Sequence, residues 1–326
     1  MAVLQYREAL RQAMTEEMER DDRVFLMGEE VAEYNGAYKV SQGMLDQFGA
    51  RRIIDTPISE NGFAGIGIGA AMVGLRPIVE FMTFSFSYVA FDQLVNNAAN
   101  MRYMSGGQFA VPIVFRGNSG IGGALGATHS HRPEALYAHI PGLTVLMPSD
   151  PVDAKGLLKS AIRSDDPVIF LEHENLLADK AEVPDDRDFL VPIGRAAIRR
   201  PGRDVTIISY SRMVKVAMAA AEALAADGID AEVIDLRSIR PLDIDALVAS
   251  VVKTHRAVVV EEDWPYCGLG ASLSDRIMQR AFDELDAPIR RVTTADAPVP
   301  YARALESIMM PDVAKVVAQV RDVLYR

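Results

Sequence analysis

One glutamate of this 326-residue chain stands where an acid could do chemistry. Glu60 follows the segment TPIS at 56–59 and directly precedes a glycine-rich helical stretch. A carboxylate at such a position is typical of a helix N-terminus, where it accepts backbone N–H groups and complements the helix dipole. Acid–base catalysis would require a buried carboxyl, because burial favours its protonated form. Position alone therefore favours the capping role.

Two histidines, His129 and His131, lie on a second glycine-rich segment, residues 122–131. Their spacing would allow both rings to bind one metal ion. No other histidine, cysteine or acidic cluster stands at a spacing that completes a metal site, so zinc is not expected. An imidazole on such a loop suits proton transfer near neutral pH. The pattern leaves a catalytic and a structural role for His129 equally open.

The glycines after Glu60 loosely match a dinucleotide-binding fingerprint through Gly65, Gly67 and Ala70. That fingerprint requires glycines at the turn between a strand and a helix. Here a Ser-Glu-Asn segment intervenes, and the small residues continue along the predicted helix. We therefore expect close helix packing, and an NAD-binding oxidoreductase is the less favoured alternative.

Three apolar side chains follow Glu80 at alternate positions, namely Met82, Phe84 and Phe86. Such alternation is typical of a strand that packs into a core. The same side chains could instead form the apolar wall of a cofactor pocket. The pattern alone does not decide between the two roles.

The composition is that of a globular protein, with 49% hydrophobic and 24% charged residues. The formal net charge of -11 disfavours nucleic acid as a partner and suits a basic protein partner. The single cysteine, Cys267, excludes an intrachain disulfide. No run approaches the ~20 apolar residues of a membrane span. We expect a cytoplasmic protein, or one of the mitochondrial matrix if a transit peptide was removed.

These residues must be positioned by an alternation of strands and helices, which predicts an α/β fold of two doubly wound domains with mainly parallel sheets. Predicted strands cover residues 24–27, 52–55, 77–81, 111–116, 144–147, 168–171, 205–210, 231–236, 257–261 and 289–292. Helical spacing from Leu4 predicts an opening helix, and further helices cover 62–73, 86–103, 151–163, 213–226, 244–252, 271–282 and 312–324. The polar stretch around residues 179–188 is interpreted as the domain connection.

Many ordered motifs resemble one known family nearly from end to end. They are VFLMGEEV at 24–31, YNGAYKV at 34–40, RIIDTPISE at 52–60, GLRP at 74–77, FMTF at 81–84, FDQ at 91–93, YMSGG at 103–107, PIVFRG at 112–117, HS at 129–130, KGLLKSAIR at 155–163, IRPLD at 239–243 and LDAP at 285–288. The chain resembles the β subunits of the E1 component of pyruvate and related 2-oxo-acid dehydrogenases.

The resemblance implies a transketolase-like fold, with a domain for the pyrimidine end of thiamine diphosphate at residues 1–180 and a transketolase C-terminal domain at 195–326. In this family the α subunit carries the GDG motif that holds the diphosphate through Mg²⁺, and this chain has no GDG. The resemblance therefore implies an α2β2 heterotetramer that is active only with its α subunit. It also implies transfer of the acyl group to the lipoyl domain of E2, the dihydrolipoyl acetyltransferase.

Carried over by position, the resemblance reverses the interpretation of Glu60. This residue matches the glutamate that hydrogen-bonds N1′ of the cofactor's aminopyrimidine and so assists activation of the thiazolium. His129 matches the histidine that serves reductive acetylation of the lipoyl group. The remaining matches to cofactor-adjacent positions are Met82, Phe86, Ile58 and Glu29.

Three further expectations come from the resemblance. Potassium in some relatives is bound by loop carbonyls, which here match Ile113, Ala161, Ile162, Ser164 and Asp166. Asp286 falls in the segment that contacts the E2 subunit-binding domain. His131 departs from the glutamine found in many relatives, and we interpret it as filling a solvent-facing slot.

Pyruvate is the expected substrate, because the segments at 58–63 and 81–84 look like the pyruvate branch of the family. E1 β subunits of branched-chain 2-oxo-acid and acetoin dehydrogenases share much of the scaffold and form the nearest alternative. A noncatalytic scaffold subunit is a further alternative. It predicts that changes at Glu60 and His129 leave the activity of the complex unchanged.

Overall fold

The computed structural model describes residues 1–326, which form two α/β units. The first unit comprises residues 1–119 and 136–193, and the second comprises residues 120–135 and 194–326. The loop that carries His129 thus packs within the second unit, which no local feature of the sequence indicated. None of the helices is long and apolar enough to cross a membrane.

The chain from its start to residue 183 alternates strands and helices. Its elements are β1 (Ala2–Gln5), α1 (Tyr6–Arg20), β2 (Val24–Gly28), α2 (Met44–Phe48), β3 (Ile53–Asp55), α3 (Glu60–Met72), β4 (Arg76–Thr83), α4 (Ala99–Met104), β5 (Val114–Ser119), α5 (Glu134–His139), β6 (Thr144–Leu146), α6 (Pro151–Arg163), β7 (Val168–His173) and β8 (Lys180–Val183).

The main sheet of the first unit is parallel, with strands in the order β6-β7-β5-β4-β2-β3. Strands buried on both faces are expected to be continuously apolar, and β7 begins with four buried residues, Val-Ile-Phe-Leu. On one face α1 and α6 pack together and share a core with the strands. The helix α3 packs on β4, and its Gly67 leaves no room for a Cβ because Val79 Cγ2 would be 2.7 Å away.

The second unit repeats this architecture with fewer strands. Its elements are β9 (Ala197–Arg200), β10 (Val205–Ser209), α7 (Met213–Ala226), β11 (Ala231–Asp235), β12 (Ser238–Arg240), α8 (Ile244–Thr254), β13 (Ala257–Val260), α9 (Leu269–Ala281), β14 (Arg290–Val292), α10 (Arg303–Met309) and α11 (Val313–Val323). Its sheet has the order β14-β13-β10-β11-β9, parallel apart from β9, which runs antiparallel to β11.

The predicted opening helix from Leu4 is wrong in its first turn. Residues 2–5 form β1, which pairs antiparallel with β8 inside the segment interpreted as a connection. The helix begins at Tyr6, and Glu8 accepts the backbone N–H of Gln5 at 2.7 Å. Local spacing could not indicate a strand whose partner lies far along the chain.

The predicted helix at 86–103 is also not one regular helix. It divides into a 3-10 helix at Phe84–Ala90, a π-helix at Gln93–Ala98 and α4. Within it the Asn100 side chain donates to the carbonyl of Val95 at 3.0 Å. Polar side chains that bond to helical carbonyls compete with regular helix geometry.

Candidate active site

Two buried carboxyl groups meet at the carboxyl end of the first sheet. Glu29 directly follows β2 and Glu60 is the first residue of α3, and each is only 6% exposed. Their carboxyl groups lie close enough for the charge of Glu60 to raise the pKa of Glu29, and the backbone N–H of Met82 acts on Glu29 in the opposite direction. We call these two residues the carboxyl pair.

Glu29 is a weaker acid in this site than it would be in water. Burial, and next the charge of Glu60, raise the pKa of Glu29 to about 7, with a smaller contribution from Glu80. Like charges in a buried site favour a shared proton over two ionised groups. A pKa of about 7 lies in the pH range where an acid–base catalyst works best.

The sheet explains why two residues from distant segments meet. Parallel pairing puts Gly28 opposite Glu80, so β2 and β4 deliver their carboxyl ends to the same edge. No side chain fits at Gly28, because a Cβ would lie 2.5 Å from the carbonyl oxygen of Glu80. Asp55, at the end of β3, accepts the N–H of Ala32 at 2.7 Å and fixes the turn after Glu29. Ligands of open parallel sheets bind outside this edge.

Met82, Phe86 and Ile58 are the apolar side chains that the family resemblance assigns to the cofactor. Met82 lies near the end of β4 and Phe86 in the 3-10 helix that follows, and both are half-buried. Ile58 is 84% exposed in the segment before Glu60. The structure thus brings Glu29, Glu60 and Met82 together, while Phe86 and Ile58 stand in neighbouring segments.

A buried ion network behind the carboxyl pair was missed by sequence reasoning. Arg116 on β5 is fully buried and bonds to Glu172, with Nη2 2.6 Å from a carboxylate oxygen, and also to Glu80. Burial raises the pKa of Glu80, and the charge of Arg116 opposes that rise. A sequence signal existed, because Glu80, Arg116 and Glu172 interrupt apolar strands. A charge inside a buried strand requires a partner.

His129 occupies a different environment in the second unit. It is exposed at the end of the 3-10 turn Ala127–His129, and its Nδ1 lies 3.0 Å from the hydroxyl of Thr128. An exposed imidazole can reach a substrate on another molecule, which a buried side chain cannot.

His131 is half-buried and lines a cavity of about 300 Å³, so the expected solvent-facing slot is only partly right. Burial lowers the pKa of its ring. The other lining residues are Ala127, Trp264, Asp296, Ala297, Pro298 and Val299. Because a lowered pKa favours the neutral ring, His131 suits packing better than it suits acid catalysis near pH 7.

The carbonyls matched to potassium ligands have protein donors. Arg76 donates to the carbonyl oxygens of Ile162 and Ser164, at 3.0 and 2.5 Å. The remaining carbonyls accept from Val168 N at Ile113 (2.9 Å), from Ser164 N at Ala161 (3.1 Å) and from Ser164 Oγ at Asp166 (3.2 Å). No group of three or more His, Cys, Asp or Glu side chains could hold a metal ion.

Asp286 is exposed after α9 in the second unit. Its carboxylate lies 3.0 Å from the guanidinium of Arg256, and its carbonyl accepts the hydroxyl of Tyr325 at 3.1 Å. The glycines Gly65 and Gly67 lie inside α3 rather than at a strand–helix turn, so they do not form the dinucleotide fingerprint.

Comparison with known proteins defines the class first. The family model "Transketolase, pyrimidine binding domain" matches residues 2–180, and "Transketolase, C-terminal domain" matches residues 194–316. A solved structure described as "Split gene transketolase, inactive beta4 tetramer" superimposes with a TM-score of 0.79 at 23% identity, over 98% of each chain. The chain therefore has the transketolase-like two-domain α/β fold that its sequence predicts.

Curated relatives narrow the class to one family. The chain is 56% identical over 326 residues to "Pyruvate dehydrogenase E1 component subunit beta" of Rhizobium meliloti (strain 1021), covering 100% of this chain and 71% of that protein. The protein of the same name from Rickettsia felis is 54% identical, over 98% of each. The mitochondrial protein of Caenorhabditis elegans is 53% identical, over 98% of this chain and 92% of that one. This chain belongs to the pyruvate dehydrogenase E1 component β-subunit family.

Proposed function

We propose that this chain is the β subunit of the thiamine-diphosphate-dependent E1 component of pyruvate dehydrogenase. With an α subunit it decarboxylates pyruvate oxidatively and transfers the acetyl group to the lipoyl group of E2. The observation that carries the proposal is the carboxyl pair at the carboxyl edge of the first sheet. The family membership and the names of the relatives support the choice of reaction.

The residues of this edge fit the aminopyrimidine end of the cofactor. Oε1 of Glu29 is buried without a hydrogen-bond partner, so a polar group is missing beside it. Half-buried Met82 and Phe86 supply apolar surface for an aromatic ring. The cofactor, when bound, supplies the carbon nucleophile for the 2-oxo acid and accepts the electrons left by CO₂. Glu60 would hold the proton shared with the ring nitrogen, and Glu29 would keep the pair from carrying two charges.

His129 would act in the second half of the reaction. Its exposed imidazole would donate a proton to a dithiolane sulfur as the acetyl group bonds to the other sulfur and the S–S bond breaks. The reacting lipoyl group arrives on a separate protein, E2, which requires an accessible acid. Asp286, on the surface of the same unit, would contact the subunit-binding domain of E2, a contact that suits a basic partner.

We propose an α2β2 heterotetramer in which the α subunit holds Mg²⁺, because this chain lacks a GDG motif. A potassium ion would share the loop carbonyls near Ile162 and Ser164 with Arg76. We retain 1–180 and 195–326 as the domain division and the cytoplasm as the expected compartment.

One experiment tests the proposed function. The chain is expressed with the neighbouring α-subunit gene, and the purified complex is assayed with pyruvate, branched-chain 2-oxo acids and acetoin. We expect the highest kcat/KM with pyruvate, and binding of thiamine diphosphate but not of NAD in a calorimetric titration. A preference for either alternative substrate would reassign the chain within its family. Binding of NAD would refute the proposal, and sizing of the same sample tests the heterotetramer.

A further inference from the structure

The loop at residues 120–135, which carries His129, is anchored at both ends by one carboxylate. Glu262 is 1% exposed and follows β13 in the second unit. Its Oε1 accepts the backbone N–H of Ile121 at the start of the loop. The same oxygen lies 3.5 Å from Nη1 of Arg132 near the end of the loop. One carboxylate oxygen of Glu262 therefore contacts both Ile121 and Arg132, and His129 lies between these two residues in the loop.

The backbone of Glu262 is itself held by hydrogen bonds to the segment at β14. Its carbonyl accepts the hydroxyl of Thr294 at 2.6 Å, and the preceding N–H of Glu261 donates to Val292 at 3.0 Å. These bonds extend the pairing of β13 with β14 by one more residue. The carboxylate is thus held by the sheet, so it can serve as a fixed point for a loop.

Arg132 is buried, so its positive charge must be compensated by carboxylates of the protein. It is 4% exposed, and its Nε and Nη2 donate to Glu134 Oε1 at 3.0 and 2.7 Å. Arg132 Nη1 has no hydrogen-bond partner, and the carboxylate of Glu262, 3.5 Å away, adds to the charge compensation that Glu134 provides. Removing one partner from a buried charged group costs more than a neutral hydrogen bond contributes.

Other contacts also restrain the loop, among them the hydrogen bond that Arg212 donates to the carbonyl of Ile121 at 3.1 Å. Glu306 accepts the N–H of Ala124 at 3.0 Å, and the Ser130 hydroxyl donates to the carbonyl of Gly126 at 2.9 Å. Both contacts lie within the loop's glycine-rich part or next to it. Glycine-rich backbone loses much entropy on ordering, so its conformation depends on the anchors.

We propose that Glu262 is a positioning residue that fixes both ends of the loop and so sets the place of His129. This inference rests on the proposed function of His129 in acetyl transfer. A displacement of about 1 Å in a reacting group can cost about 100-fold in rate. Loss of the anchor should therefore slow the step that uses His129 and leave the first half of the reaction unchanged.

The test uses the complete αβ complex with Glu262→Ala and the near-isosteric Glu262→Gln. The control is Glu232→Gln, because Glu232 is another buried carboxylate of this unit, bonded to Ser250 and Lys253 rather than to the loop. Hydrogen exchange of the amides of residues 121–131 is measured together with acetyl transfer to a lipoyl domain and with pyruvate oxidation by an artificial acceptor.

We expect Glu262→Ala to speed exchange at Ile121 by at least about 10-fold and to slow acetyl transfer by about 10–100-fold. Glu262→Gln keeps an acceptor for Ile121 and loses the charge, so its effects should be intermediate. Artificial-acceptor activity should stay within about twofold, as a residue acting only through the loop predicts. The double variant with His129→Ala should transfer acetyl no more slowly than His129→Ala alone.

Unchanged exchange in Glu262→Ala would overturn the anchor, as would multiplicative losses in the double variant or equal losses in Glu232→Gln. Failure of the proposed function looks different. If His129→Ala transfers acetyl normally, the catalytic part of the inference falls with the role of His129. Exchange at Ile121 still decides whether Glu262 holds the loop.

Discussion

The two regions that could do acid–base chemistry are built in opposite ways. Glu60 is buried at a sheet edge beside Glu29, and burial with a like charge raises the pKa of Glu29 to about 7. His129 is exposed on a glycine-rich loop whose ends depend on Glu262. The first region adjusts the acidity of a carboxyl group through its surroundings, whereas the second controls where an imidazole lies. Changes of charge should therefore dominate in the first region and changes of geometry in the second.

The largest expected effect is at the carboxyl pair. We expect Glu60→Ala to keep the fold and to lower turnover of the αβ complex by about 10²–10⁴-fold, the usual contribution of general acid–base help. That range corresponds to roughly 3–5 kcal/mol of barrier. Steady-state decarboxylation of pyruvate measures it, and Glu33→Ala is the control, because Glu33 is an exposed acid near Glu29. Near-normal turnover of Glu60→Ala would show that Glu60 is a helix cap and not a catalytic acid.

A smaller and more selective effect is expected at His129. His129→Ala should slow acetyl transfer to a lipoyl domain by about 100-fold while artificial-acceptor activity stays near that of the unchanged complex. His131→Ala is the control, since His131 lies on the same loop and lines a cavity instead of standing exposed. An equal loss of activity in both assays would show that His129 does not act specifically in acetyl transfer to the lipoyl group. The chain would then have a single acid–base region, the one at Glu60.

What the sequence could predict differs between the two regions for physical reasons. The helix at 151–163 was predicted to the residue, because Asp150 accepts the N–H of Asp153 at 2.8 Å and Pro151 starts the helix. These signals are local. The alternation of strands and helices was also sufficient for the parallel sheets, since strands buried on both faces are apolar throughout.

The rest depends on contacts between distant segments. Glu60 is buried because β2 and β4 bring Glu29 and Met82 to it, and its own position indicated only a cap. The anchoring of the His129 loop needs Glu262, which follows a strand far along the chain. Local spacing carries no information about contacts between distant segments. The family resemblance indicated Glu60 and His129, but it did not indicate that Glu29 lies beside Glu60 or that Glu262 contacts the loop of His129.

The smallest effect concerns the acidity of Glu29 and tests whether burial sets it. The folded-state pKa of Glu29 is about 7, above the usual value of 4.5. Between these values the folded chain holds a proton that the unfolded chain releases, so stability falls as pH rises through this window. Below it the contribution is fully present, and above it the contribution is lost. Glu29→Gln has no such proton and should show a flatter dependence.

Urea unfolding of the purified chain at pH 5 and pH 8 measures this difference. We subtract the free energy of unfolding of the unchanged chain from that of Glu29→Gln at each pH. We expect this difference to be about 1–2 kcal/mol larger at pH 8 than at pH 5, which means that the variant is relatively more stable at pH 8. The full value of about 1.4 kcal/mol per pKa unit is reduced because solvent near the site screens the pair. Glu33→Gln, which removes an exposed acid, should follow the unchanged chain at both pH values. If Glu29→Gln also follows it, the carboxyl pair does not retain its proton, and the first region would resemble the second in depending on placement alone.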